Sequence, residues 1–165
     1  MSNPMSNSRI SDRPDTAHVL APPPLIFLGA VALGLAVQAV WPLPLFAHGL
    51  VARVVGGGLI IAGLTLSGAV MYHFGRVGTP VIPWRETRRL VVSGPYRFSR
   101  NPDYLGQALV VGGLGLLLAL PWVMPALILS LLIVRYGVIA REERYLERRF
   151  GEEYRRYRGR VRRWL

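Results

Sequence analysis

Four long blocks of apolar residues alternate with polar stretches along this chain, at 25–41, 50–74, 104–120 and 122–139. A hydrocarbon core about 30 Å thick needs roughly 20 apolar residues in a helix, so each block is read as a membrane crossing. The first follows Pro22-Pro23-Pro24 and is closed by Pro42 and Pro44, with Trp41 and Phe46 placed for the interface, where aromatic rings are favoured. The second carries Arg53 near its start, able to snorkel to the headgroups, and the glycines 56, 57, 58, 63 and 68. In a membrane such small residues let helix backbones approach closely, and close helix packing is their expected role. A phosphate loop is not supported, because no strand precedes the glycines and no Gly-Lys-Ser/Thr follows. The third and fourth blocks are separated only by Leu120-Pro121, a joint short enough to force an antiparallel hairpin.

The predicted fold is therefore all-α, a polytopic membrane protein of about four transmembrane helices plus an interfacial helix over 140–160. Residues 1–21 are polar and are expected to form a disordered arm rather than a cleaved signal peptide. Residues 22–165 then form one domain. The segment 75–103 contains prolines at 80, 83, 95 and 102, which predicts a structured loop rather than a helix.

Composition agrees and adds an orientation. Of the 165 residues, 52% are hydrophobic, yet the net charge is +11 and all 20 basic residues are arginine. They gather in the central loop and the tail, which are separated by an even number of crossings. The positive-inside rule puts both, with the N-terminal arm, on the cytoplasmic side of what is expected to be a bacterial inner membrane. The bilayer and its anionic headgroups are the expected partners, with no nucleic acid; the oligomeric state is not legible. With no cysteine and with His18, His48 and His73 far from ligand spacing, no metal site is expected.

Two polar pieces carry candidate chemistry. In Arg100-Asn101-Pro102-Asp103-Tyr104-Leu105-Gly106, Pro102 restrains Asn101 and opens a helix, leaving Arg100 and Asn101 at a helix start whose free N–H groups attract anions. Tyr104 offers a ring face and a hydroxyl, and Gly106 leaves backbone open to a ligand. In Arg141-Glu142-Glu143-Arg144, helical spacing aligns Glu143, Leu146, Phe150 and Tyr154, with Glu142 beside them and Arg144, Arg148 and Arg155 elsewhere. Gly151 is placed to break that helix. Adjacent carboxylates near anionic lipid call for a cationic or hydroxyl-bearing partner.

Together these pieces resemble the isoprenylcysteine carboxyl methyltransferase and phospholipid N-methyltransferase group of integral membrane enzymes. The carrying residues are Gly78-Thr79-Pro80, Leu90 to Arg97, Arg100 to Gly106, Arg141-Glu142-Glu143, Leu146, Phe150 to Tyr154, Tyr157 and Val161 to Trp164. The isoprenylcysteine enzymes usually hold histidine where this chain has Asn101, so Asn-Pro-x-Tyr is closer to the phospholipid branch. The resemblance implies S-adenosylmethionine bound without a Rossmann domain and a lipidic or prenyl-type acceptor. Tyr96, Arg97, Arg100, Asn101, Pro102, Tyr104 and Gly106 would contribute to the cofactor site from one side, and Glu142, Glu143 and Tyr154 from the other. Glu142, Glu143 and Tyr104 are the catalytic candidates, with His73 behind them. Competing readings are an NADPH-dependent reductase of the steroid and sterol type, and a lipid-binding membrane module without enzymatic activity.

Overall fold

The computed structural model describes residues 22–43, 49–77 and 90–165. The N-terminal arm, the middle of the turn after the first helix, and 78–89 of the central loop, with Gly78-Thr79-Pro80, lie outside the described residues. Within them the chain is all-helical: α1 (Pro23–Val40), α2 (Leu50–Val77), a 3₁₀ turn (Gly94–Arg97), α3 (Pro102–Leu117), α4 (Val123–Ile133), a π-helical turn (Val134–Ile139) and α5 (Ala140–Arg160).

Among the described residues, three helices are long and apolar enough to cross a membrane: α1, α2, and the continuous rod that begins at Val123 and runs through the π turn into α5. The third expected crossing is shorter than read. At 16 residues, α3 spans about 24 Å at 1.5 Å per residue. Large apolar side chains such as Leu28, Ile61, Leu64, Ile128 and Leu129 stand exposed along these rods, as lipid-facing residues do.

Helix α1 packs on α4, and α2 packs along α3. Phe27 and Ala30 of α1 meet Val123, Ala126, Leu127, Val134 and Val138 of the long rod, with Val111 of α3 closing the core. The second interface is built from glycine. A Cβ on Gly63 would come within 2.5 Å of the Gly106 carbonyl oxygen, and one on Gly113 within 2.6 Å of that of Gly56. Backbones this close leave no room for a side chain. Gly57, Gly58 and Gly68 face open space instead, so only part of the glycine-rich block serves the contact expected of it.

The hairpin joint closes by the hydrogen bonds of a Schellman motif. Leu120 N–H donates to Gly115 O at 2.8 Å and Ala119 N–H to Leu116 O at 3.3 Å. The position that favours glycine is held by Ala119, with φ at 52°. At this end of the bundle Trp122 Nε1 donates to Trp41 O at 2.8 Å, joining the two turns read as lying on the same side. The opposite end therefore receives the start of α3, the end of the π turn and α5.

Candidate active site

Three segments converge at that end. The first is the 3₁₀ turn, whose Gly94 has φ of 60° and lies so close to His73 that a Cβ would sit 2.8 Å from the imidazole Nδ1. Only glycine meets both demands. His73 Nε2 pairs with Ser93 Oγ at 2.9 Å, and Phe74 meets the Tyr96 ring edge-on at 5.6 Å. These contacts fasten the turn to the end of α2.

The second segment is the start of α3. Pro102 occupies its first turn and is fully buried, and Asn101 stands before it at the N-cap, outside the helix, with φ of −132° and ψ of 55°. The third is α5, which the π turn feeds in with its register shifted. A π turn adds a residue to one helical cycle and is common beside functional sites. Gly151, with φ of 49° and ψ of −119°, kinks α5 and returns its second half over the first two segments.

The residues so gathered form two layers. In the inner one, Tyr104 Oη donates to Glu142 Oε1 at 2.8 Å. Burial raises the Glu142 carboxyl to about 7, with the Asp103 and Glu143 carboxylates adding to the rise and the Tyr104 hydrogen bond opposing it. A carboxyl near neutrality is poised to exchange a proton at physiological pH. Asp103 Oδ2 accepts from Gln107 Nε2 at 2.8 Å, while Gln107 Oε1 is buried with no hydrogen-bond partner.

In the outer layer Glu143 is clamped by two arginines. Arg100 Nη1 lies 3.0 Å from its Oε1. Arg163 grips both oxygens, Nε to Oε1 at 3.0 Å and Nη2 to Oε2 at 2.6 Å. Arg100 Nη1 also donates to Tyr154 Oη at 3.3 Å, and Arg100 Nε is buried without a partner. The segment after α5 completes this layer. Arg100 N–H donates to Arg162 O at 3.0 Å, Asn101 Nδ2 to Arg163 O at 2.9 Å, and Ser99 Oγ to the same oxygen at 3.3 Å.

Of the residues expected at the site, Tyr104, Glu142, Arg100, Glu143, Asn101, Pro102 and Tyr154 come together. Tyr96 stands at the edge, its carbonyl accepting from Tyr157 Oη at 2.7 Å. Arg97 is exposed and stacks on Phe98 with its guanidinium 4.4 Å from the ring centroid, directed away from the cluster. Gly106 faces α2 rather than a cleft, since a Cβ there would meet Ser67 Oγ at 2.5 Å. Arg163 and Asp103 were given no individual role from sequence. Asp103 sits one residue from the motif's tyrosine, but nothing local to Arg163 marks it as a partner of a glutamate 20 positions earlier.

One end of this apolar helical bundle thus carries a part-buried carboxyl–tyrosine pair beside an arginine-clamped glutamate. Residues 51–153 match the model of the phospholipid methyltransferase family, and the chain belongs to that family. It is thereby a membrane methyltransferase in kind. An uncharacterized protein of Haemophilus influenzae is 51% identical over 47 residues, which cover 28% of this chain and 71% of that protein. No solved structure matches the chain.

Proposed function

We propose that this protein transfers a methyl group from S-adenosylmethionine to a lipidic or prenyl-type acceptor at the cytoplasmic face of a bacterial inner membrane. The observation that carries this reading is the part-buried Glu142–Tyr104 pair set beside Arg100, at the one end of the bundle where α3 begins and α5 leaves the apolar rod.

The donor set fits the cofactor. Its amino-acid carboxylate calls for a cation with a free donor, and Arg100 Nε is buried with no hydrogen-bond partner beside the first turn of α3. Its sulfonium and ribose hydroxyls call for carboxylate oxygens, which Glu142 supplies. When bound, the cofactor supplies an electrophilic methyl group. The chain supplies alignment, worth roughly 7–11 kcal/mol in well-oriented systems, and a proton acceptor where the methyl acceptor arrives protonated. Glu142 takes that role because Glu143 already holds two guanidinium groups. An acceptor that is itself a carboxylate needs no base, so dependence on Glu142 reports the acceptor's chemistry. Tyr154 and Tyr96 are assigned to the adenine side.

Calorimetry with S-adenosylhomocysteine, on protein in detergent and in lipid, tests the reading. Binding that is lost in Glu142→Ala supports it, and no binding in either medium overturns it. Labelled methyl transfer into a total lipid extract then identifies the acceptor. Anionic lipid vesicles should retain the protein at high salt as at low, since the apolar rods remain inserted and salt screens only the contacts of its arginines with the headgroups.

A further inference from the structure

We infer that Arg163 is a positioning residue: the segment Val161–Trp164 is a staple that holds the start of α3 against α5, and the Arg163 guanidinium is the hand by which it grips. The chemistry this serves rests on the methyltransferase reading above, but the mechanical role stands on the contacts alone.

The staple takes hold of the two sides by different means. Its main chain holds the α3 side, where the carbonyls of Arg162 and Arg163 accept from Arg100 N–H, Asn101 Nδ2 and Ser99 Oγ. Its side chain holds the α5 side through the fork on Glu143. Backbone carbonyls are present whatever the sequence, so the residue-specific element is the guanidinium. The pair is not a surface ornament. The Glu143 side chain is 13% exposed and that of Arg163, on the outer side of the pair, is 31%. Removing Arg163 leaves the enclosed Glu143 carboxylate with Arg100 as its remaining partner at one oxygen, whereas exposed pairs such as Arg155 with Glu152 cost little to lose. A planar two-point fork also fixes orientation in a way a lysine cannot reproduce.

The consequence reaches Glu142 through its neighbour. The ionisable groups facing Glu142 are Tyr96 from the 3₁₀ turn, Asp103 and Tyr104 from α3, and Glu143 from α5. Among them Glu143 is the one whose charge Arg163 offsets. Loosening the staple therefore changes the field at Glu142 as well as the spacing between the elements that carry Glu142 and Tyr104.

The test uses the full chain in lipid nanodiscs, with Arg163→Gln, Arg163→Lys, Glu143→Gln and the Arg163→Gln/Glu143→Gln double variant. Amide hydrogen exchange over 99–105 and 161–165 should rise sharply in Arg163→Gln and Glu143→Gln and less in Arg163→Lys, with α1 and α4 unchanged. The double variant should exchange little faster than either single one, the non-additivity of a shared contact. The rate of methyl transfer should fall roughly 100-fold with the loosening, the scale of a misplacement of about 1 Å in a site. The pH midpoint of activity should move upward in Arg163→Gln, where Glu143 keeps its charge and loses its fork, and return toward that of the parent in the double variant. Unchanged exchange at 99–105 in Arg163→Gln would overturn the staple whether or not the cofactor binds. If Arg163→Gln fails to fold, Glu143→Gln breaks the same pair and carries the same expectation for exchange, with the pH midpoint moving downward because a like charge beside Glu142 is removed. Absence of S-adenosylhomocysteine binding by the parent protein would count against the methyltransferase reading alone, because the exchange measurement does not depend on it.

Discussion

Helix α3 meets α2 along its length and α5 at its start by different means. Along its length it meets α2 backbone to backbone, through Gly106 on Gly63 and Gly113 on Gly56. At its start it meets α5 through side chains that are long, polar and charged: Arg100, Asn101 and Tyr104 against Glu142, Glu143, Tyr154 and the segment that follows. The first interface gains from having nothing between the helices, since lipid offers no hydrophobic drive for association and dispersion needs proximity. The second has its polar groups matched almost completely, and two of the three buried side-chain atoms without hydrogen-bond partners among the described residues, Arg100 Nε and Gln107 Oε1, lie in or beside it, the third being Gln38 Oε1 of α1. The glycine seam sets where α3 stands; the polar joint is where chemistry can occur.

That division can be broken on purpose. The largest effect is expected from Glu142→Gln, which keeps shape and removes the proton acceptor: kcat/KM for a protonated acceptor should fall roughly 10²–10⁴-fold with no change in thermal unfolding of the bundle. The same variant should abolish the pH dependence of the parent. Activity of the parent should rise with pH through about 7, because Glu142 acts ionised and burial holds its carboxyl there. Tyr104→Phe should shift that profile upward, since the lost hydrogen bond favoured the ionised form. A hydrogen bond to a charge worth about 1.5–3 kcal/mol corresponds to about one pH unit or more.

On the glycine seam the expected signature is the reverse. Gly63→Leu should lower stability by about 1–3 kcal/mol, as overpacking does, while leaving the pH profile where it was. Gly58→Leu, one residue-face away and open to lipid, should stay within about 0.5 kcal/mol of the parent. Thermal unfolding of the pair in one detergent separates the two. The smallest effect is at the hairpin joint. Ala119 holds a φ of 52°, and Ala119→Gly should stabilise by up to about 1 kcal/mol by relieving the left-handed strain.

Much of the fold was legible in the residue order, because apolar length is a local property and prolines and glycines punctuate it. The blocks 25–41, 50–74 and 122–139 correspond to α1, α2 and the long rod, and the break at Gly151 was readable as a break. The third block was overread. Its apolar residues continue to Leu120, but the chain has already turned by Leu118 into the capping motif, which hydropathy cannot see. The glycine block was legible as a packing surface but not as a choice among its members, since facing depends on where the partner helix lies.

The site divides in the same way. Residue chemistry and helical spacing singled out Arg100, Asn101, Tyr104, Glu142 and Glu143 as groups that need partners, and the even number of crossings put them at one end. What the sequence determined by itself is therefore the solvent of each segment and the identity of the reactive groups, both of which follow from composition over short windows. Which partner each group takes was decided only in three dimensions. Glu142 and Glu143 are identical in kind and adjacent in the chain, yet one is set against a tyrosine and drawn toward neutrality while the other is held between two guanidinium groups. The π turn, the kink at Gly151 and the return of the tail set that difference, because a field at a carboxyl depends on what surrounds it and not on what precedes it.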